Sequence, residues 1–327
     1  MSGKLRIGII GCGDFLRLRA ADLLSSRQVE VKLLYSPVNS ANAERYAEIF
    51  GAKAADSPEA IINDPEIDVV CVFVPPFARK EYVLAAAKAG KQIVATKPLA
   101  ADLSDAREMT EAVEQAGVRC GVIYRRTNNP VIEAYKEIFS GGEFGKLALY
   151  KQDWFHHYPT WNRWATDPQK NGGPFMDAML HNLNAARYLM GRRVVGRVFF
   201  SDDHTHSLAC DDTQFLKVDF EQGASAHLFI TWAAELAVYD SAKNDREHID
   251  QCFMVTDQGW LFRNEIREGK AVITATRNGL EKDFPVIPFE ETFFDRYAKE
   301  IKNRDILPAD LPDIREAYED LRILLEN

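Results

Sequence analysis

The chain has 327 residues, about twice a typical domain, so two domains are expected and a single small module is excluded. With 46% hydrophobic and 27% charged residues it has the balance of a globular chain, not of a disordered or fibrous one. Its 40 basic against 49 acidic residues give a net charge of −9, which argues against nucleic acid or an anionic membrane as a partner.

Up to residue 123, short Val- and Ile-rich runs at 5–10, 29–35, 69–74, 92–95 and 119–123 alternate with helical patterns at 15–25, 41–50, 81–89 and 105–116. Unbroken apolar runs suit parallel strands covered on both faces, and Gly51, Gly90 and Gly117 stand where three of the helices should stop. This alternation predicts a doubly wound parallel sheet, an α/β Rossmann domain, over residues 1–123. Next come a helix at 130–140, a long strand at 146–157, a helix at 175–190, and strands near 194–204, 213–221, 224–233, 251–256 and 259–263. Residues 124–327 are therefore expected to form an α+β domain on a large open, mostly antiparallel sheet. Helices at 290–302 and 311–325 close the chain and can pack back on the first domain.

No apolar stretch approaches the ~18 residues of a membrane span, and too few apolar residues follow Lys4 and Arg6 for a secretory signal. The five cysteines (12, 71, 120, 210 and 252) are odd in number and form no CxxC pair. A disulfide scaffold or zinc ribbon is not expected, and a reducing cytoplasm is.

The segment Gly8-Ile-Ile-Gly11-Cys12-Gly13-Asp14-Phe15 leaves the first strand and opens the first helix. Gly11 permits the tight turn, and Gly13 lets backbone approach a pyrophosphate at the helix N-terminus. The strand–turn–helix setting favours a dinucleotide site over a merely structural turn. Leu16 stands where a third small residue is usual, so a looser helix seat is expected. After the second strand, Tyr35-Ser36-Pro37-Val38-Asn39-Ser40 lacks the carboxylate that grips the ribose of NAD. Its loss removes repulsion against a 2′-phosphate, and Ser36, Asn39 and Ser40 can donate to one. The cofactor reading, NAD or NADP, leans to NADP.

Lys97 follows a strand at the carboxyl end, where open sheets bind ligands. A partly desolvated Lys there can polarise a substrate oxygen; an ordinary surface charge is the alternative. Gly172-Gly173-Pro174 breaks the chain and starts a helix, with Asp177 and His181 at i and i+4 on one face and Asn184 a turn further. His181 can accept a hydroxyl proton and Asp177 can orient it, although such a pair is often only a surface pair. Residues 150–164 hold Tyr150, Trp154, Phe155, Tyr158, Trp161 and Trp164. These aromatics suit a cyclic ligand or the packing of one domain on the other. Along the strand, Lys151, Asp153, Phe155 and His157 point one way and Tyr150, Gln152, Trp154 and His156 the other. His156-His157 and His204-Thr205-His206 hint at a metal, the last pair sharing a strand face, but no third ligand stands at suitable spacing and none is expected.

Taken in order, Gly11-Cys12-Gly13, Thr96-Lys97-Pro98, Tyr124-Arg125-Arg126…Pro130 and Asp177…His181 resemble the Gfo/Idh/MocA oxidoreductases, from residue 5 to roughly 234. The resemblance implies reversible hydride transfer between NAD or NADP and a sugar, polyol or related small molecule. It implies Lys97, His181 and Asp177 as catalytic residues converging on one cleft. Cofactor contacts would come from Gly11, Cys12, Gly13, Asp14, Phe15, Ser36, Val74, Pro75, Pro76, Thr96 and Lys97. Expected substrate contacts are Tyr124, Arg126, Trp154, His157, Trp161 and Arg163. The pattern is broken where Thr96 replaces the Glu of Glu-Lys-Pro, Val74-Pro75-Pro76 replaces Thr-Pro-Asn, Arg79 replaces a His and Asn184 an Asp. A homodimer or homotetramer through the open sheet is also implied. An NAD-assisted glycoside hydrolase and a non-catalytic ligand sensor on the same fold are the alternatives.

Overall fold

Six short strands, β1 (Leu5–Ile10), β2 (Val29–Tyr35), β3 (Lys53–Ala54), β4 (Val69–Val72), β5 (Gln92–Thr96) and β6 (Cys120–Ile123), form one sheet in the order β3-β2-β1-β4-β5-β6. Every neighbouring pair is parallel. The connections carry α1 (Asp14–Ser25), α2 (Ser40–Phe50), α3 (Pro58–Ile62), α4 (Lys80–Lys88) and α5 (Leu103–Ala116). Each residue of β4 and β6 is buried, as expected of central strands covered on both faces. Strand order reverses between β1 and β4, and the carboxyl ends of these two strands frame the crevice where such sheets bind ligands.

In the computed structural model, residues 3–160, 164–236, 249–303 and 311–326 are described. The chain divides into two units, Met1–Asn128 with Phe289–Asn327, and Asn129–Pro288.

The second unit holds α6 (Pro130–Ser140), β7 (Leu147–Phe155), α7 (Leu180–Met190), β8 (Val194–Asp202), β9 (Thr213–Phe220), β10 (Ser225–Thr231), β11 (Ile249–Thr256), β12 (Leu261–Arg267), β13 (Lys270–Arg277) and β14 (Leu280–Pro285). Its eight strands run β14-β13-β12-β11-β7-β10-β9-β8, antiparallel throughout except for the β7–β10 pair. Period-two alternation buries Leu216 and Val218 on β9 and Ala226, Leu228 and Ile230 on β10, and α7 packs on β7 and β10. Val198, Phe200 and Phe253 stay exposed.

The closing helices, α8 (Phe293–Lys302) and α9 (Ile314–Leu325), belong to the first unit, as does the turn Arg125–Asn128; the boundary lies at 128/129 instead of 123/124. Specific bonds account for this. The carboxylate of Asp295 completes a capping box with Thr292 and also accepts from Ser26 Oγ (2.6 Å) and the Arg27 amide (2.9 Å). Phe293, Phe294 and Tyr297 join the core around Leu5, Val29 and Val31. Arg119 pairs with Glu300 (3.1 Å) and Asp313 (3.0 Å), and the Val122 amide donates to Pro312 O (2.8 Å), so the chain ahead of α9 covers the β6 edge.

Candidate active site

At the carboxyl end of β1 the chain turns sharply at Gly11, whose φ of 107° belongs to glycine. A Cβ there would lie 2.7 Å from the Phe73 carbonyl carbon, so the turn is pressed against the continuation of β4. Gly13 differs: a Cβ added to it would meet nothing within 4 Å. Gly13 is also the N-cap of α1 and supplies no side-chain cap, so first-turn amides are left for an external acceptor. An open backbone approach beside uncapped amides fits a dinucleotide pyrophosphate. Leu16 does not loosen the helix; it is completely buried in the core with Cys12 and Phe73. Phe15 meets Phe73 edge-on at 4.9 Å, and burial pushes the Cys12 thiol up to about 12, which leaves it unreactive.

The departures from the family pattern at residues 79 and 96 meet each other. Arg79 is 1% exposed, and its NH2 group donates to Thr96 Oγ1 (2.7 Å) and Val74 O (2.8 Å). Its NH1 group faces the carbonyls of Thr96 (2.6 Å), Pro98 and Leu99 (3.0 Å). One guanidinium thus ties the end of β4 to the segment that carries Lys97, whose peptide to Pro98 is cis. Burial lowers the Arg79 pKa to about 10. Lys97 itself is half-buried, directly after β5, and its amide contacts Ile123 O at 3.4 Å. Pro75 and Pro76 lead into a short turn between Val74 and Arg79, with the Ala78 amide on Pro75 O (3.0 Å).

Beyond β2, the Asn39 carboxamide oxygen caps α2 by accepting from the Ala41 amide (3.1 Å), and Ser36 Oγ accepts from the Asn39 amide (3.4 Å). Arg45 stacks over Tyr46 at 4.8 Å. The loop carries no carboxylate until Glu44.

In the second unit, Gly173 has φ of 99°, and a Cβ there would press on Cys210 and Asp211 O at 3.4 Å. The Phe175 amide donates to Gln214 Oε1 (2.7 Å), which docks the helix start on the beginning of β9. The helix does not begin as an α-helix. Residues Phe175–Met179 form a π-turn, closed by the Leu180 amide on Phe175 O, before α7 proper. Such turns recur at functional sites, and no sequence pattern announces one. From Gly173 to Ala186 only Asp177 and His181 escape burial. They are the half-exposed stripe of an otherwise sunken helix, with Asn184 fully buried a turn on.

The expected substrate contacts are distributed between the units. Tyr124 and Arg126 lie in the first, both buried, and Arg126 is bonded to Glu316 of α9 at 3.0 Å. Trp154 and His157 lie in the second; Trp161 and Arg163 fall outside the described residues. On β7 the row Tyr150, Gln152 is buried and the row Lys151, Asp153, Phe155 is partly exposed.

Past β7 the His157 amide donates to Leu236 O (3.0 Å), and His157 bridges to Ala233. Past β8, the segment 204–206 is a loop and not a strand, wrapped around Asp212. That buried carboxylate accepts from the amides of His204 (3.1 Å), Thr205 (2.9 Å) and His206 (3.1 Å) and from Thr213 Oγ1 (2.7 Å). Burial alone would raise its pKa, but these bonds outweigh it and hold Asp212 below the usual carboxyl range. The result places His157, His206 and Glu235 together, with one ligand-type atom from each within 4.8 Å of the others. Glu235 is the third group that sequence spacing did not supply. Burial lowers the His157 pKa; His206 adds to this and Glu235 opposes it.

A parallel sheet in this order, with a glycine turn and uncapped helix at its switch point, is a dinucleotide-binding fold. The chain belongs to the Gfo/Idh/MocA family: residues 5–124 match its NAD-binding Rossmann fold and residues 132–245 its C-terminal domain. It is 24% identical over 313 residues to scyllo-inositol 2-dehydrogenase (NAD(+)) of Bacillus subtilis, covering 93% of this chain and 86% of that one. With Myo-inositol 2-dehydrogenase of Thermotoga maritima it shares 28% over 315 residues, 91% of this chain and 86% of the relative. Aldose-aldose oxidoreductase from Caulobacter crescentus superposes with a TM-score of 0.81 at 19% identity, over 98% of this chain and 95% of that structure. Among the described residues no helix is long and apolar enough to cross a membrane.

Proposed function

We propose that this protein is an NAD(P)-dependent dehydrogenase or reductase acting on a hydroxyl or carbonyl of a sugar, inositol or related polyol. The observation that carries the reading is Lys97, held by the Arg79 clamp at the same carboxyl sheet edge as the Gly11–Gly13 turn. A bound nicotinamide supplies the hydride acceptor in the oxidation direction. His181 takes the proton as the substrate CH–OH becomes C=O, and Asp177 orients its imidazole. Lys97 stabilises the charge that develops on the oxygen. Gly11, Cys12, Gly13, Asp14 and Phe15 hold the pyrophosphate, and Val74–Pro76 and Thr96 line the approach to the nicotinamide.

NADP is the preferred cofactor in this reading, because between the end of β2 and Glu44 no carboxylate stands to repel a 2′-phosphate and Ser36 lies at the loop start. Its setting is a reducing, cytoplasmic compartment, and a homodimer or homotetramer forms through the sheet face that exposes Val198, Phe200 and Phe253. The test is a cofactor-reduction screen of the full chain over inositols, aldoses and sugar acids, with NAD and NADP in parallel. Net reduction with one substrate class, at lower KM for NADP, is the expected result. Free sugar released from glycosides with no net reduction would replace this reading.

A further inference from the structure

We infer that His157, His206 and Glu235 form a binding site for zinc or a similar borderline divalent metal. The elements explain why these three residues meet. Strands β7 and β10 are parallel neighbours, so His157 and Glu235 both follow carboxyl ends on the same sheet edge. Strand β9 is antiparallel to β10 and starts at that edge, and Asp212, just ahead of it, holds the loop that carries His206.

The donor chemistry is that of a prepared ligand set. His206 Nε2 lies 3.1 Å from Trp232 O, an atom that can only accept, so Nε2 carries the hydrogen and, in the neutral ring, Nδ1 keeps the lone pair. A backbone carbonyl fixing the second ring nitrogen is the usual support of a metal-binding imidazole. His157 Nδ1 is buried with no hydrogen-bond partner, and the two imidazole rings face each other edge-on, 5.0 Å between centroids. Tyr158 closes one side, 4.3 Å from the ring of His157 and 5.0 Å from that of His206. Two nitrogens and one carboxylate oxygen suit zinc, not magnesium or calcium. Tetrahedral zinc holds its donors about 3.4 Å apart, and the three groups here lie within 4.8 Å, with exposed Glu235 the one free to swing inward.

Three protein ligands leave one position open to water or to a hydroxyl or carboxylate oxygen of a bound molecule. The three residues lie at the end of the sheet where Gln214, near the start of β9, docks the start of the Asp177–His181 helix. The site does not depend on the redox reading: a chain that takes up zinc without reducing any cofactor keeps it.

Metal-stripped full-length protein titrated with zinc chloride is expected to take up one zinc per chain. His157→Ala and His206→Ala lose that uptake, and Glu235→Gln weakens it. Zinc raises the melting temperature of the wild type and not that of His206→Ala. Should either histidine variant misfold, cobalt added to the wild type serves instead, with strong visible bands of a four- or five-coordinate ion expected. A pale six-coordinate cobalt spectrum, no zinc uptake by the wild type, or equal uptake by folded variants would each overturn the site.

Discussion

Replacing Arg79 by Leu removes the buried cation that joins β4 to the Lys97 segment. Its two terminal nitrogens carry four hydrogens, all directed at backbone carbonyls or the Thr96 hydroxyl. At about 1.5 kcal/mol for each charged hydrogen bond, they contribute about 6 kcal/mol. Against this stands the cost of burying the charge. The fall from 12.5 to about 10 corresponds to about 3 kcal/mol. Leucine should therefore destabilise the first unit by about 3 kcal/mol, and Arg79→Lys, whose ammonium offers three donors, by less. The tryptophans separate the two units in an unfolding experiment. All five (154, 161, 164, 232 and 260) lie within 129–288, so their fluorescence reports the second unit, whereas far-UV circular dichroism reports both. In a urea titration, the first-unit phase of the dichroism should move to lower denaturant while the fluorescence midpoint stays. An unchanged dichroism curve for Arg79→Leu would refute the clamp.

Gly11 and Gly13 should fail in different ways. Alanine at 11 meets both a positive φ and a contact of 2.7 Å with Phe73, and should cost on the order of 3 kcal/mol of first-unit stability. Alanine at 13, with φ of −95° and open space, should leave melting unchanged and weaken dinucleotide affinity in a fluorescence titration. Asp212→Asn should cost about 1–3 kcal/mol in second-unit fluorescence melts. Since the folded pKa of Asp212 is depressed, its stabilisation is complete above the ordinary carboxyl value of 3.8 and drains away as pH falls through the lower folded value. The difference in melting between the wild type and Asp212→Asn should therefore shrink in acid. Phe200→Lys, on the exposed face of β8, should reduce the mass seen by light scattering to that of a monomer.

Much of the fold is legible along the chain, because β1, β2 and α6 are bounded by local signals: apolar runs ended by Gly11 and Ser36, and Asn129-Pro130 ahead of an amphipathic stretch. Strand β14 is not, since Leu280–Pro285 is polar, mostly exposed and held by pairing with β13, not by any burial of its own. The two-residue β3 and five-residue α3 escape because they are too short to show a period. Site chemistry divides along the same line. Lys97, Asp177 and His181 stand in local motifs, whereas the Arg79–Thr96 bond and the approach of Glu235 to His157 and His206 join residues 17 or more positions apart. Read singly, Thr96 and Arg79 look like two losses; in three dimensions they are one contact. The π-turn under Asp177 has no sequence signature, and its first residue, Phe175, is held by Gln214, 39 positions further along the chain.

The most direct test of the redox assignment is single-turnover reduction of the cofactor by the Lys97→Ala variant, on the substrate the screen identifies. With the cofactor at saturating concentration, single-turnover reduction lowered by about a hundredfold or more is the predicted result. Turnover by Lys97→Ala at the wild-type rate would contradict the assignment.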